Sequence, residues 1–225
     1  MSDTRDLVIL DVDGTLVDAN YLHALAWLRA FEANDHRIPT YRIHRTIGMG
    51  GDKLVEELLG AQVEEKEGDA LRKAWQKEYD KLSDEAYPLP GASELIRSVH
   101  ERGFLVAIAS SGEKDAVEKA IKSLDVDDYI DAIVSSADVE ASKPDADLVH
   151  AAIDKVSADR AVMVGDTVYD VSAAAKAGLG CVTVLTGGFG AAELRDSGAE
   201  KVLDDLTDAN DLDWGALVRT PTASE

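Results

Sequence analysis

Four short stretches of this 225-residue chain gather side chains able to do chemistry. Leu7-Val8-Ile9-Leu10 runs into Asp11-Val12-Asp13-Gly14-Thr15, and Phe104 to Ala109 runs into Ser110-Ser111-Gly112. Ser142-Lys143-Pro144-Asp145 follows, and Ala161 to Val164 then runs into Gly165-Asp166-Thr167-Val168-Tyr169-Asp170. An Asp at the end of an apolar run is ordinarily a turn or helix-capping residue. Brought together, however, these stretches would set several carboxylates beside two hydroxyls and one ammonium. Like charges a few Å apart raise one another's pKa and have to be neutralised. A divalent cation does that, and an all-oxygen donor set suits Mg2+. With such an ion in place, Ser110, Lys143 and free backbone amides form a seat for a phosphate. Asp11 could then attack phosphorus, as carboxylates do when an aspartyl phosphate forms. Asp13, two residues on, could protonate the leaving oxygen and later activate water, worth roughly 10²–10⁴-fold for a positioned acid–base.

The elements that must position these groups follow from periodicity. The apolar runs at 7–10, 104–109, 132–134, 161–164 and 181–185 are continuous rather than alternating, which suits parallel strands covered on both faces. Helical patterns lie between them at 91–102, 113–124, 146–156 and 172–177, the last followed by Gly178 as a C-cap. Strand–helix alternation predicts right-handed crossovers and a doubly wound open sheet, which binds ligands at the C-terminal ends of its strands. One stretch breaks the alternation. From about Ala19 to Tyr87 there is helical spacing without a convincing strand: Tyr21, Leu22, Leu25, Ala26, Leu28 and Phe31, then Leu54, Val55, Leu58 and Leu59, then Leu71, Trp75 and Tyr79. This predicts an inserted helical module, with 80–91 as the return linker. The tail after Trp214 is expected to be loosely held.

Composition removes other classes. Against 44 Asp+Glu stand only 23 Lys+Arg, a formal charge of −21, so the surface repels phosphate backbones and nucleic acid is not an expected partner. A hydrophobic fraction of 45% is too high for a mainly disordered chain. No apolar run approaches the ~18 residues that span a bilayer, so no membrane association is expected. Cys181 stands alone, so an intrachain disulfide and a Cys-based zinc site are excluded. With the polar, acidic start, these features make the cytoplasm the expected compartment. The acidic excess reads as solubility or as adaptation to high salt.

The sequence Asp11-Val12-Asp13-Gly14-Thr15-Leu16-Val17-Asp18 resembles the first motif of the haloacid dehalogenase superfamily, in its phosphatase and phosphomutase branch. Ser110 after an apolar strand is similar to the second motif, Lys143-Pro144 to the third, and Gly165-Asp166-Thr167 with Asp170 to the fourth. The resemblance runs in order to about Leu206. It implies an α/β fold, a Rossmann-like doubly wound parallel sheet core (1–18 plus 88–225) with an inserted all-helical cap (19–87). It implies Asp11 as nucleophile, Asp13 as acid–base, and Mg2+ held by Asp11, the Asp13 carbonyl and Asp166, with Asp170 in the metal shell. Ser110 and Lys143 would hold the phosphoryl group, and Ser111 would contribute geometry or an amide. Cap candidates for substrate contact are His23, Gly50 within Gly48-Met49-Gly50-Gly51, and Lys53, whose plainer role is pairing with Glu56 or Glu57.

Departures from the family pattern are Leu10, where Phe is frequent, and Ser142, where Gly is frequent. Gly112 stands where some mutase relatives place a second hydroxyl. The function this implies is a Mg2+-dependent phosphatase of a small phosphorylated metabolite such as phosphoglycolate or a sugar phosphate, as a monomer or dimer. A phosphosugar mutase of the β-phosphoglucomutase type is the alternative, although 48–53 offers no Arg for a second phosphate and Arg45 lies earlier. A non-enzymatic phosphate-sensing or interaction protein is the reading from another class. In a metal-free dehalogenase, Asp13, Asp166 and Asp170 would have no task.

Overall fold

Strand β1 (Asp6–Leu10) is buried on both faces: Leu7, Val8, Ile9 and Leu10 have no solvent exposure. Successive strand side chains point oppositely, so Val8 and Leu10 enter one apolar cluster while Leu7 and Ile9 enter another. The structure, a computed structural model, describes residues 4–139 and 141–222. Two short strands, β2 (Val17–Asp18) and β3 (Tyr87–Pro88), pair antiparallel on their own. The main sheet is completed by β4 (Leu105–Ala109), β5 (Ala132–Val134), β6 (Arg160–Gly165), β7 (Cys181–Val184) and β8 (Lys201–Leu203). Its six strands run in the order β5-β4-β1-β6-β7-β8, and every neighbouring pair is parallel.

This order fixes the site. From β1 the chain winds outward to β4 and β5, then crosses back to β6 and winds the other way. The crevice at the reversal is where open parallel sheets bind ligands. Register makes the strand ends level there, since Leu10 pairs with both Ile108 and Val164. Asp11, Ser110 and Asp166 therefore leave the sheet along one edge.

Between β2 and β3 lie α1 (Asn20–Ala33), α2 (Thr40–Thr46), α3 (Gly51–Leu59) and α4 (Ala61–Tyr79), the inserted helical cap. They share an apolar cluster of their own around Trp27, Phe31, Ile43, Leu54, Val55 and Leu71. The two crossings of the insert are zipped together, Val17 opposite Pro88 and Asp18 opposite Tyr87, and the Tyr87 hydroxyl donates to Asp18. Pro88 is tolerated because this ladder has only edge strands. Below it, α5 (Ala92–Glu101) and α6 (Lys114–Leu124) cover one face of the main sheet. Two others, α7 (Asp147–Val156) and α8 (Val168–Lys176), cover the opposite face. Short helices α9 (Ala191–Asp196) and α10 (Trp214–Leu217) complete the chain. No helix among the described residues is long and apolar enough to cross a membrane.

Two expectations need correction, and one strand was not foreseen. α8 starts at Val168, four residues before the apolar pattern does, because Thr167 and Asp170 form a capping box that initiates it. β8 is a three-residue edge strand with an exposed Lys201, too short and polar for a pattern to find. The tail is tied down rather than loose. Trp214, Leu217 and Val218 are buried, Arg219 and Ala161 exchange two backbone hydrogen bonds of 2.8 Å, and Thr222 N–H donates to Ala177.

Candidate active site

Asp11 stays in register with β6, its N–H donating to the Val164 carbonyl, so its carboxylate stands just beyond the sheet edge at 6% exposure. Lys143, 1% exposed, reaches it from the loop before α7: its ammonium contacts Asp11 Oδ1 and lies 2.8 Å from Asp170 Oδ1. Asp166 has no exposure at all. One oxygen from each of Asp11, Asp166 and Asp170 lies within 4.8 Å of the others. Three buried carboxylates therefore face a single buried ammonium.

The electrostatics record that imbalance. Burial raises the Asp11 carboxyl to about 7; Lys143 opposes the rise, while Asp170 and Asp13 add to it. Burial also raises Asp166 well above the usual range, helped by the charges of Asp170 and Asp11. Lys143 goes up despite its burial, because Asp11 and Asp170 favour its charged form. An excess of buried negative charge with oxygen-only donors is the environment that a hard divalent cation suits, so the residues fit Mg2+.

The neighbours of each acid differ. Asp166 accepts from Thr15 Oγ1 at 3.0 Å and from Asn20 Nδ2 at 2.8 Å. Gly187 packs so closely on it that a Cβ there would lie 1.8 Å from Asp166 Oδ2. Asp170 Oδ2 accepts from the Asp166 and Thr167 backbone amides and from the Thr167 hydroxyl, at 3.2, 3.0 and 2.7 Å. Asp170 thus hydrogen-bonds the α8 cap through one oxygen and forms an ion pair with Lys143, off the line of a well-formed hydrogen bond, through the other. Asp13 is more open, and His23 Nε2 from α1 lies 3.1 Å from its Oδ1, off the line of a well-formed hydrogen bond. Burial alone would raise Asp13, yet attraction to His23 and Lys143 prevails and holds its carboxyl below the usual range.

Ser110 is buried on the same edge, its Oγ accepting from Gly112 N–H at 3.0 Å. A Cβ at Gly112 would lie 3.2 Å from Ser110 Oγ and 3.7 Å from Asp13 Oδ2, so this turn brings the two together. Ser111 Oγ is buried without a partner.

The cap closes against the core loops. A Cβ at Gly50 would lie 2.2 Å from Ser142 Oγ, and one at Gly48 would lie 2.8 Å from Thr167. Ser142 Oγ donates to Asp52 at 2.9 Å. Lys53 pairs across the interface with Asp145 at 3.4 Å, not with Glu56 or Glu57 on its own helix. On the other side Arg45 forks onto Glu193 and lies over the Phe189 ring at 4.1 Å. Behind His23 stand the rings of Tyr79 and Trp75, with centroids 4.1 and 5.6 Å away.

Sequence reasoning overlooked Asn20, the Thr15 hydroxyl, Gly187 and the pairs Ser142–Asp52 and Arg45–Glu193. Thr15 lies within the first motif and Ser142 is one of the noted departures, so both carried a signal. Asn20, Gly187 and Glu193 carried none, because each acquires its task from a distant partner.

A family model described as haloacid dehalogenase-like hydrolase matches residues 8–184. A solved hydrolase from Pseudomonas syringae superposes with a TM-score of 0.85 at 33% identity, covering 92% of this chain and 95% of that one. The chain is 28% identical over 209 residues to pyrophosphatase PpaX of Halalkalibacterium halodurans, covering 91% of this chain and 95% of the relative. It is 25% identical over 220 residues to phosphoglycolate phosphatase of Nitrosococcus oceani, with 92% and 96% covered.

Proposed function

The chain belongs to the haloacid dehalogenase-like hydrolases, and from that premise we propose that it is a Mg2+-dependent phosphatase of a small phosphorylated metabolite. Residues 1–18 and 88–225 are read as the catalytic core and 19–87 as the cap. The observation that carries the proposal is the meeting of Asp11, Asp166 and Asp170 within 4.8 Å, beside a buried Lys143, at the switch point of a parallel sheet. Relatives named as phosphatases support the reaction class.

In this reading Asp11, Asp166 and the Asp13 carbonyl hold the ion, and Asp170 serves it from behind by fixing Lys143. Bound Mg2+ supplies positive charge against the phosphoryl oxygens. A carboxylate oxygen of Asp11 attacks phosphorus, the bond to the leaving oxygen breaks, and Asp13 delivers the proton that the leaving alcohol needs. Asp13 must take that proton from solvent before the step, a form that the approach of the phosphate dianion favours. Asp13 then takes a proton from water, which attacks the aspartyl phosphate, releasing phosphate and regenerating Asp11. Ser110, the Ser111 amide and Lys143 grip the phosphoryl oxygens, while the cap excludes bulk water.

The cap also bears on substrate. Two of its cations, Arg45 and Lys53, are each spent on a core carboxylate, Glu193 and Asp145. This favours a leaving group without a second anion, hence a sugar-phosphate-like monoester over a bisphosphate, and hydrolysis over mutase chemistry. A screen of phosphorylated metabolites with and without Mg2+, scoring free phosphate against isomerised sugar phosphate, tests the reading. Phosphate release that needs Mg2+ and vanishes in Asp11→Asn is expected. Activity that survives chelation, or wild-type turnover by Asp11→Asn on p-nitrophenyl phosphate, would end it.

A further inference from the structure

Asn20 is the first residue of α1, directly after the N-cap residue Ala19, and is only 2% exposed. The α1 start has no side-chain cap, and the Asn20 side chain is not turned to the helix's own amides. The amide instead crosses from the cap to the core and donates from Nδ2 to Asp166 Oδ2 at 2.8 Å, over a sequence separation of 146. Room for it exists because residue 14 is glycine; a Cβ there would lie 2.2 Å from Nδ2. The remaining atom, Oδ1, is buried with no partner. A buried amide acceptor without a partner is costly, and sequences retain one where it has a further use.

We infer that Asn20 is a positioning residue for Asp166, through which the start of the cap helix governs the affinity of the core for its divalent ion. Hydrogen-bond donors behind a carboxylate ligand orient it, and each oxygen of Asp166 accepts one, Oδ1 from Thr15 and Oδ2 from Asn20. Thr15 supplies one such donor from the core and Asn20 the other from the cap. An amide suits this place better than an acid, because it offers a donor without adding charge to a site that already holds Asp11, Asp166 and Asp170. Its Oδ1 remains available as an acceptor. Because the donor sits on α1, displacing that helix withdraws it, so ion affinity and cap position are coupled reciprocally.

The inference rests on the Mg2+ reading above, and the experiment separates the two. Calorimetric titration with MgCl2 is run on the full-length wild type, Asn20→Ala and the isosteric Asn20→Leu. Both variants are expected to bind Mg2+ about 10–100-fold more weakly, the usual cost of losing an outer-shell partner. The wild-type protein supplies a second readout that needs no variant. Its Asn20 side-chain amide resonances are expected to be slow to exchange and to shift on Mg2+ addition. Affinities within about twofold of wild type, or Asn20 resonances indifferent to Mg2+, overturn the inference and leave the proposed function standing. A wild type that binds no Mg2+ overturns both. A wild type whose Mg2+ binding depends on Asn20, but which hydrolyses no phosphate ester, supports the inference and removes the phosphatase.

Discussion

Asp11 illustrates how much a single side chain is set by its neighbours. Burial raises its carboxyl from 3.8 to about 7, so the fold favours its neutral form. A carboxyl with a raised folded pKa contributes stability that is present below the unfolded value and is lost as pH climbs through the folded one. Without metal, the charged form of Asp11 therefore destabilises the fold increasingly between about pH 4 and 7. Asp11→Asn, which cannot ionise, is expected to be more stable than the chelated wild type at pH 8 by a few kcal/mol, at ~1.4 kcal/mol per pH unit. At pH 4 the two should converge. Thermal denaturation in a chelating buffer across this range checks it, and a gap that shrinks as pH rises would contradict the burial argument. Gly187 offers a second check at the same scale. Gly187→Ala would press its methyl onto the Asp166 carboxylate, so Mg2+-dependent activity should fall by at least tenfold while far-UV circular dichroism is unchanged.

At the scale of elements, two contacts join the parts that carry chemistry. The capping box of α8 uses Asp170 twice, to begin the helix and to hold Lys143. Thr167→Ala should cost about 0.5–2 kcal/mol in urea unfolding, the range for a lost N-cap. It should also lower kcat, because Asp170 loses the hydroxyl that orients it. Thr167→Ser keeps the hydroxyl and should restore both. The second contact is the clasp between the cap turn at Gly50 and the loop of Ser142 and Lys143. Removing its hydrogen bond with Ser142→Gly should change stability by no more than ~1 kcal/mol, since the net worth of one such bond is small. Its effect belongs on substrate capture, so steady-state kinetics should show KM rising several-fold with kcat nearly constant. A collapse of kcat with constant KM would instead assign Ser142 to the placement of Lys143.

The whole molecule carries a formal charge of −21. Lys and Arg side chains bridge several of its surface acids, yet the exposed Asp127 and Asp128 pair with no cation among the described residues. Exposed charges of one sign repel across the surface, and salt screens them within about 10 Å at 0.1 M. The melting midpoint is expected to climb from low to molar KCl. A flat or falling series would show that surface repulsion does not limit this fold.

Much of this organisation was legible in the chain itself. A continuous apolar run such as Leu7 to Leu10 can be buried on two faces only in a covered parallel sheet, so the core strands and the acids at their ends followed from local pattern. Asp11, Ser110, Lys143 and Asp166 needed no structure to be singled out as candidates. Only the folded chain decided what stands behind them: Asn20 and Thr15 on Asp166, Gly187 against it, Asp170 turned toward Lys143, and the cap cations spent on Asp145 and Glu193. Periodicity tells which face of an element is apolar, because that depends on residues a few positions apart. It does not tell which distant element meets that face, and the partners of a buried polar group are set by that meeting.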